Sequence, residues 1–111
     1  MQESLKTIKL ISELAAFVFK AGGKEFNVNF KEENGTITIT IKSHLDYLSE
    51  TDLEKLRALD TPRQSQVEEY YWELAGENDQ YQELSLVGMM IDEAEFSYEH
   101  KLLTISVSRH R

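Results

Sequence analysis

The sequence predicts an α+β fold: a two-layer sandwich of a four-stranded mixed sheet with one face covered by helices, in the order α-ββ-ααα-ββ. Three observations carry that expectation. Two regions alternate apolar and polar residues strictly, four segments repeat apolar residues at helical spacing, and Gly, Asn and Pro punctuate the joints between them. A sheet with one apolar face must bury it against another layer, and the remaining segments of this chain are helical.

Leu5, Ile8, Ile11, Leu14, Ala15 and Val18 set a helix from about Glu3 to Ala21, which Gly22-Gly23 ends. Leu10 and Phe17 widen its apolar arc, so it is expected to be covered on more than one side. A hairpin follows. Phe26, Val28 and Phe30 alternate with Glu25, Asn27, Asn29 and Lys31; Asn34-Gly35 suits a tight turn with positive φ; Ile37, Ile39 and Ile41 then alternate with Thr36, Thr38, Thr40 and Lys42.

Ser49 with Asp52 resembles a capping box and opens a helix through Leu53, Leu56 and Leu59. Thr61-Pro62-Arg63-Gln64 is a second start, for a helix through Val67, Tyr71 and Leu74 to Gly76. A fourth helix begins at Asn78 or Asp79 and carries Tyr81, Leu84, Val87 and Ile91 on one stripe, with Gly88 inside it. Phe96 and Tyr98 then form a strand, a turn falls near His100-Lys101, and Leu103, Ile105 and Val107 alternate with Thr104, Ser106 and Ser108 in the last strand.

A length of 111 residues fits one domain, residues 1–111, with a core large enough for two layers. The chain has no cysteine, which excludes disulfides, thiolate chemistry and Cys-ligated zinc. The apolar run near the amino terminus is broken by Glu13 and lacks a small-residue cleavage site, so a soluble, cytoplasmic protein without a membrane segment is expected.

Net charge is −8 and unevenly spread. Residues 64–100 carry ten acids (Glu68, Glu69, Glu73, Glu77, Asp79, Glu83, Asp92, Glu93, Glu95, Glu99) and no Lys or Arg, whereas residues 1–63 are nearly neutral. That field repels polyanions, so nucleic acid is not an expected partner. Its plainest role is a solvated acidic face that aids solubility.

The order of elements, with the tail "ELSLVGMMIDEAEFSYEHKLLTISVSR", resembles the ATPase domain of histidine kinases and anti-sigma-factor kinases, the GHKL or Bergerat fold. The likeness is one of rhythm and order, and it covers most of the chain from the first helix onward. "ISELAAFVFKAGGKEFNVNFKEENGTITITI" looks like the family's first-box helix followed by its hairpin. What the resemblance implies about the site is a set of departures. The family's magnesium-holding pair, a glutamate and an asparagine four residues later, falls on Glu13 and Phe17, and Phe17 has no oxygen to give. Its adenine-recognising Asp-x-Gly-x-Gly falls on Ser43, Leu45 and Tyr47, where two bulky residues stand in place of glycines. Its glycine-rich phosphate loop falls near Glu83, Leu84, Ser85 and Leu86, without a glycine and with an added negative charge.

The resemblance thus implies a non-catalytic regulatory or signalling domain that has lost its ATP site. It would use no cofactor or metal and would act by protein–protein contact, with Phe17, Leu45 and Tyr47 filling the former pocket. The alternative is a divergent domain that still binds ATP or another small ligand, with Glu13 and Ser43 facing a cavity. Glu68, Glu69, Tyr70, Trp72 and Glu73, in "VEEYYWEL", are the candidate partner contacts: three consecutive aromatic residues on a helix cannot all face one sheet. The charge-poor outer sheet face, with its Thr, Ser and Asn residues, leaves room for a homodimer. His44 beside Asp46 has the elements of a base and its orienting carboxylate, but no nucleophile or second His stands at a meaningful spacing. Met89 and Met90 read as adaptable core residues.

Overall fold

The structure is a computed structural model that describes residues 3–60 and 83–110. The described elements are α1 (Glu3–Lys20), β1 (Phe26–Glu33), β2 (Thr36–His44), α2 (Glu50–Arg57) with a 3₁₀ turn (Ala58–Asp60), α3 (Glu83–Met90), β3 (Glu93–Glu99) and β4 (Leu102–His110). They form an α+β fold of one four-stranded sheet and three helices. The helix expected from Thr61 to Gly76 lies outside the described residues, as does the start of the helix expected from Asn78.

The strand order is β1-β2-β4-β3, and every neighbouring pair is antiparallel. The expected mixed sheet is therefore corrected to an antiparallel one. β2 and β3 run in the same direction, but β4 lies between them, so no parallel pair forms. The alternation read in the sequence sorts the two faces. Ile37, Ile39, Ile41, Leu103, Ile105 and Val107 are buried under the helices. On the outer face the register sets Thr38 against Ser108 and Thr40 against Ser106. Their hydroxyls meet at 3.3 and 3.2 Å, so the polar ladder satisfies itself across the central strand pair.

Local chemistry explains the joints. α1 ends in a Schellman motif: the Gly23 N–H donates to the Val18 carbonyl and the Gly22 N–H to the Phe19 carbonyl, with Gly22 at φ +103°. Asn34 and Gly35 both have positive φ and close β1 onto β2 with Glu33 opposite Thr36. The Asp52 N–H donates to Ser49 Oγ at 3.0 Å and caps α2.

The helical layer differs from its expected packing in one respect. The buried face of α1 carries Lys6, Thr7, Leu10, Leu14, Phe17 and Val18, while Leu5 and Ile8 are exposed. The helix is apolar on two sides, and only one of them meets α3 and β2. α3 itself is buried on nearly every side, through Leu84, Leu86, Val87 and Met90.

Arg109 of β4 points to the same inner face and is only 2% exposed. Its guanidinium donates to both Glu3 carboxylate oxygens, at 3.0 and 3.2 Å, and to the Met90 carbonyl at 2.7 Å. One side chain thereby ties the start of α1 to the end of α3 across the sheet's last strand.

Candidate functional site

The positions that the resemblance assigns to a nucleotide site sit where α1, β2 and the segment after β2 converge. Phe17 and Leu45 are buried in the core. Ser43 occupies an inward position of β2 and is also buried; its hydroxyl donates to the Glu25 carbonyl at 3.0 Å. Gly23 packs directly beneath it. A Cβ at Gly23 would stand 2.7 Å from Ser43 Oγ and 2.5 Å from Val18 Cγ1, so the chain leaving α1 passes as close to β2 as glycine allows. Ser43 thus holds the joint between α1 and β1, and its hydroxyl is committed to the backbone.

Glu13 pairs with Lys9 one helical turn earlier, at 2.6 Å. Leu45 is fastened at both ends of its peptide: its N–H donates to the Lys101 carbonyl at 2.8 Å, and its carbonyl accepts from the Tyr98 hydroxyl. Tyr47 departs from expectation. It is 72% exposed and fills no pocket, because the chain turns outward after Leu45 toward the α2 cap. Glu83 is the first residue of α3 and Ser85, two residues on, is exposed. The structure therefore brings Phe17, Ser43 and Leu45 toward one region of the core and leaves Tyr47 and Ser85 at the surface.

His44 and Asp46 lie 3.4 Å apart, both largely exposed. Among the described residues no group of three or more His, Asp or Glu side chains is placed to hold a metal ion. Met90 is buried and Met89 is half-buried against the core. Glu68, Glu69, Tyr70, Trp72 and Glu73 lie outside the described residues. No helix among the described residues is long and apolar enough to cross a membrane.

Three open grooves lie among the described residues. One, of about 300 Å³, is lined by Thr51, Glu54, Lys55, Ala58, Leu84 and Ser85, so two of the phosphate-loop positions border it. A second, of about 580 Å³, is lined by Leu56, Arg57, Leu59, Ala94, Glu95 and Phe96, and its one cation, Arg57, is paired with Glu54 at 2.7 Å. The third, of about 450 Å³, runs between α1 and β1 and is lined by Ser4, Thr7, Ile8, Ile11, Phe30 and Glu32. Elsewhere on α1 and β1 the exposed Phe19 stands edge-on to the half-buried Phe26, with ring centroids 5.2 Å apart. Sequence reasoning assigned this flank to the core, because helical spacing identifies an apolar stripe without saying what covers it. The signal was nonetheless present in the unusual width of the α1 apolar arc.

Arg109 also escaped the sequence reading. Its place in the β4 alternation marked it as inward-facing, but a charged residue at the end of a strand reads more simply as solvated. No protein-family model and no curated protein matches this chain.

Proposed function

We propose that this chain is a non-catalytic regulatory or signalling domain that acts by protein–protein contact, on a framework akin to that of histidine-kinase-type ATPases. The observation that carries this reading is the state of the corresponding nucleotide positions. Phe17 and Leu45 are core residues, the Ser43 hydroxyl is engaged by the Glu25 carbonyl, and Glu13 is paired with Lys9. Among the described residues, none of the three grooves is lined by any of these four; Leu84 and Ser85 of the phosphate-loop positions border one of them. A ligand at that spot would have to displace packed side chains, at a cost of several kcal/mol.

The acidic balance of residues 64–100 supports the same reading, since ten acids without Lys or Arg oppose a ligand carrying about four negative charges. A basic or mixed protein surface suits them better, and Glu68, Glu69, Tyr70, Trp72 and Glu73 are the contacts proposed for it. Calorimetric titration with ATP, with and without magnesium, tests the proposal. We expect no saturable heat up to about 1 mM, equivalent to a binding free energy weaker than about 4 kcal/mol. Saturable binding tighter than that overturns it in favour of a domain that still uses ATP.

A further inference from the structure

We propose that β1 is the pairing edge of a homodimer: two copies of this chain join their sheets antiparallel about a two-fold axis at Val28 and close the joint with their α1 helices. The inference does not depend on whether a nucleotide binds. It starts from where the exposed apolar side chains lie. Of the eight large hydrophobic residues exposed among the described residues, four lie on the α1–β1 flank: Ile8 (58%), Phe19 (65%), Val28 (40%) and Phe30 (47%). Val28 and Phe30 belong to the inner, helix-covered face of the sheet, since the register sets them beside the buried Ile41 and Ile39. The face is continuous, but α1 contacts β2 more than β1 and leaves Val28 and Phe30 exposed at the edge. A patch of this kind marks an interaction surface.

The backbone of β1 is ready for pairing. A two-residue turn closes on a hydrogen-bonded pair, here Glu33 and Thr36, so alternation aims the N–H and C=O of Phe26, Val28 and Phe30 away from β2, toward the open edge. Among the described residues β1 pairs with β2 alone.

Charge selects the partner as a second copy. With the axis at Val28, the strand meets itself in a self-complementary register. Val28 faces the partner's Val28, Phe30 faces the partner's Phe26, and Asn29 faces the partner's Asn27. Lys31 faces the partner's Glu25 on the outer face, and symmetry repeats each contact away from the axis. Lys31 already lies 3.3 Å from Glu33, with both side chains 63% exposed, so a second carboxylate adds to a site that is accessible.

The opposite edge behaves otherwise. Pairing β3 with its own copy about Ala94, Glu95, Phe96 or Ser97 sets glutamate against glutamate in every case. Those registers resist self-association, and only an axis at Tyr98, near the end of the strand, escapes the repulsion.

Geometry accommodates the helices. In the joined sheet, β2 and the partner's β2 lie three strand spacings apart, about 14 Å. Helices pack at about 8–10 Å, so two α1 helices resting over these strands leave a gap that the side chains of Ile8, Ile11, Phe19, Val28 and Phe30 from both copies can fill. The groove between α1 and β1 thereby becomes part of a continuous core.

Sedimentation equilibrium on the full chain tests the proposal. We expect a monomer–dimer equilibrium with a dissociation constant of about 1–100 μM. Val28→Lys sets like charges against each other at the axis and should raise that constant by about tenfold or more, with unchanged far-ultraviolet circular dichroism. Phe96→Lys on β3 should leave it unaltered. A charge swap provides a test that perturbs the fold less: Glu25→Lys and Lys31→Glu should each weaken the dimer by about threefold, and the two together should restore it. A chain that stays monomeric at about 100 μM overturns the proposal. A dimer that Phe96→Lys breaks and Val28→Lys spares overturns it in favour of the other edge.

Discussion

The hairpins β1–β2 and β3–β4 share one frame and differ in what each holds at its ends. Both contribute an inner strand whose apolar residues are buried, and both close through two-residue turns with positive φ at both positions. The first turn uses Asn34 and Gly35, the residues that adopt this geometry most easily. The second uses His100 and Lys101, at φ 52° and 65°, where side chains are disfavoured by about 1 kcal/mol or more each. The difference follows from tertiary contacts. Lys101 lends its carbonyl to Leu45, and Tyr98 of the same hairpin bonds the Leu45 carbonyl, so the second turn is held in place from outside. The first turn is shaped chiefly by its own residues, with the Thr36 hydroxyl beside it meeting His110 Nδ1 at 3.0 Å. Both hairpins end in an edge strand of the sheet, so they differ in how the turn is held and not in where the hairpin stands.

This contrast can be broken in three places. The inner strands should prove equivalent: Ile41 and Ile105 are cross-strand partners, both buried, and Ile→Ala at either should cost about 3 kcal/mol in chemical denaturation. A large inequality between them would mean that the two hairpins do not share one core. Next, Tyr98→Phe removes the hydroxyl that anchors the second hairpin to Leu45 and should destabilise by about 1–2 kcal/mol, since the Leu45 carbonyl then loses that donor. No change in the denaturation midpoint would show that the anchor is dispensable. The smallest effect concerns the turns. His100→Asn with Lys101→Gly should stabilise by about 1 kcal/mol, whereas Gly35→Ala should destabilise by about the same amount, both read from thermal unfolding. Stabilisation in both cases would remove the distinction between the turns.

Much of the fold was legible in the sequence because it rests on interactions between near neighbours. The Asn34-Gly35 turn, the Gly22-Gly23 stop and the Ser49 cap each depend on a few consecutive residues, and each is found where the sequence placed it. The inward and outward sets of β2 and β4 follow from strand period alone. Other features depended on which surfaces meet. The sheet proved antiparallel because β4, not β3, took the place beside β2. The buried face of α1 centres on Leu10, Leu14 and Phe17, and the second apolar stripe with Leu5 and Ile8 stays exposed. At the nucleotide-like positions the sequence identified Phe17, Ser43 and Leu45 as unusual for such a site, but placing Tyr47 required the path of the chain after Leu45.

By itself the sequence determined the helices and hairpins that remain described, the two faces of the sheet and the uneven charge, since all of these are set by local conformation or by composition. Only the tertiary structure decided the strand order, the commitment of the Ser43 hydroxyl to Glu25, and the burial of Arg109 between Glu3 and Met90. It also decided the exposure of Val28 and Phe30 at the β1 edge. Each joins residues far apart in the chain, and periodicity tells a residue which way to face without telling it what it will meet there.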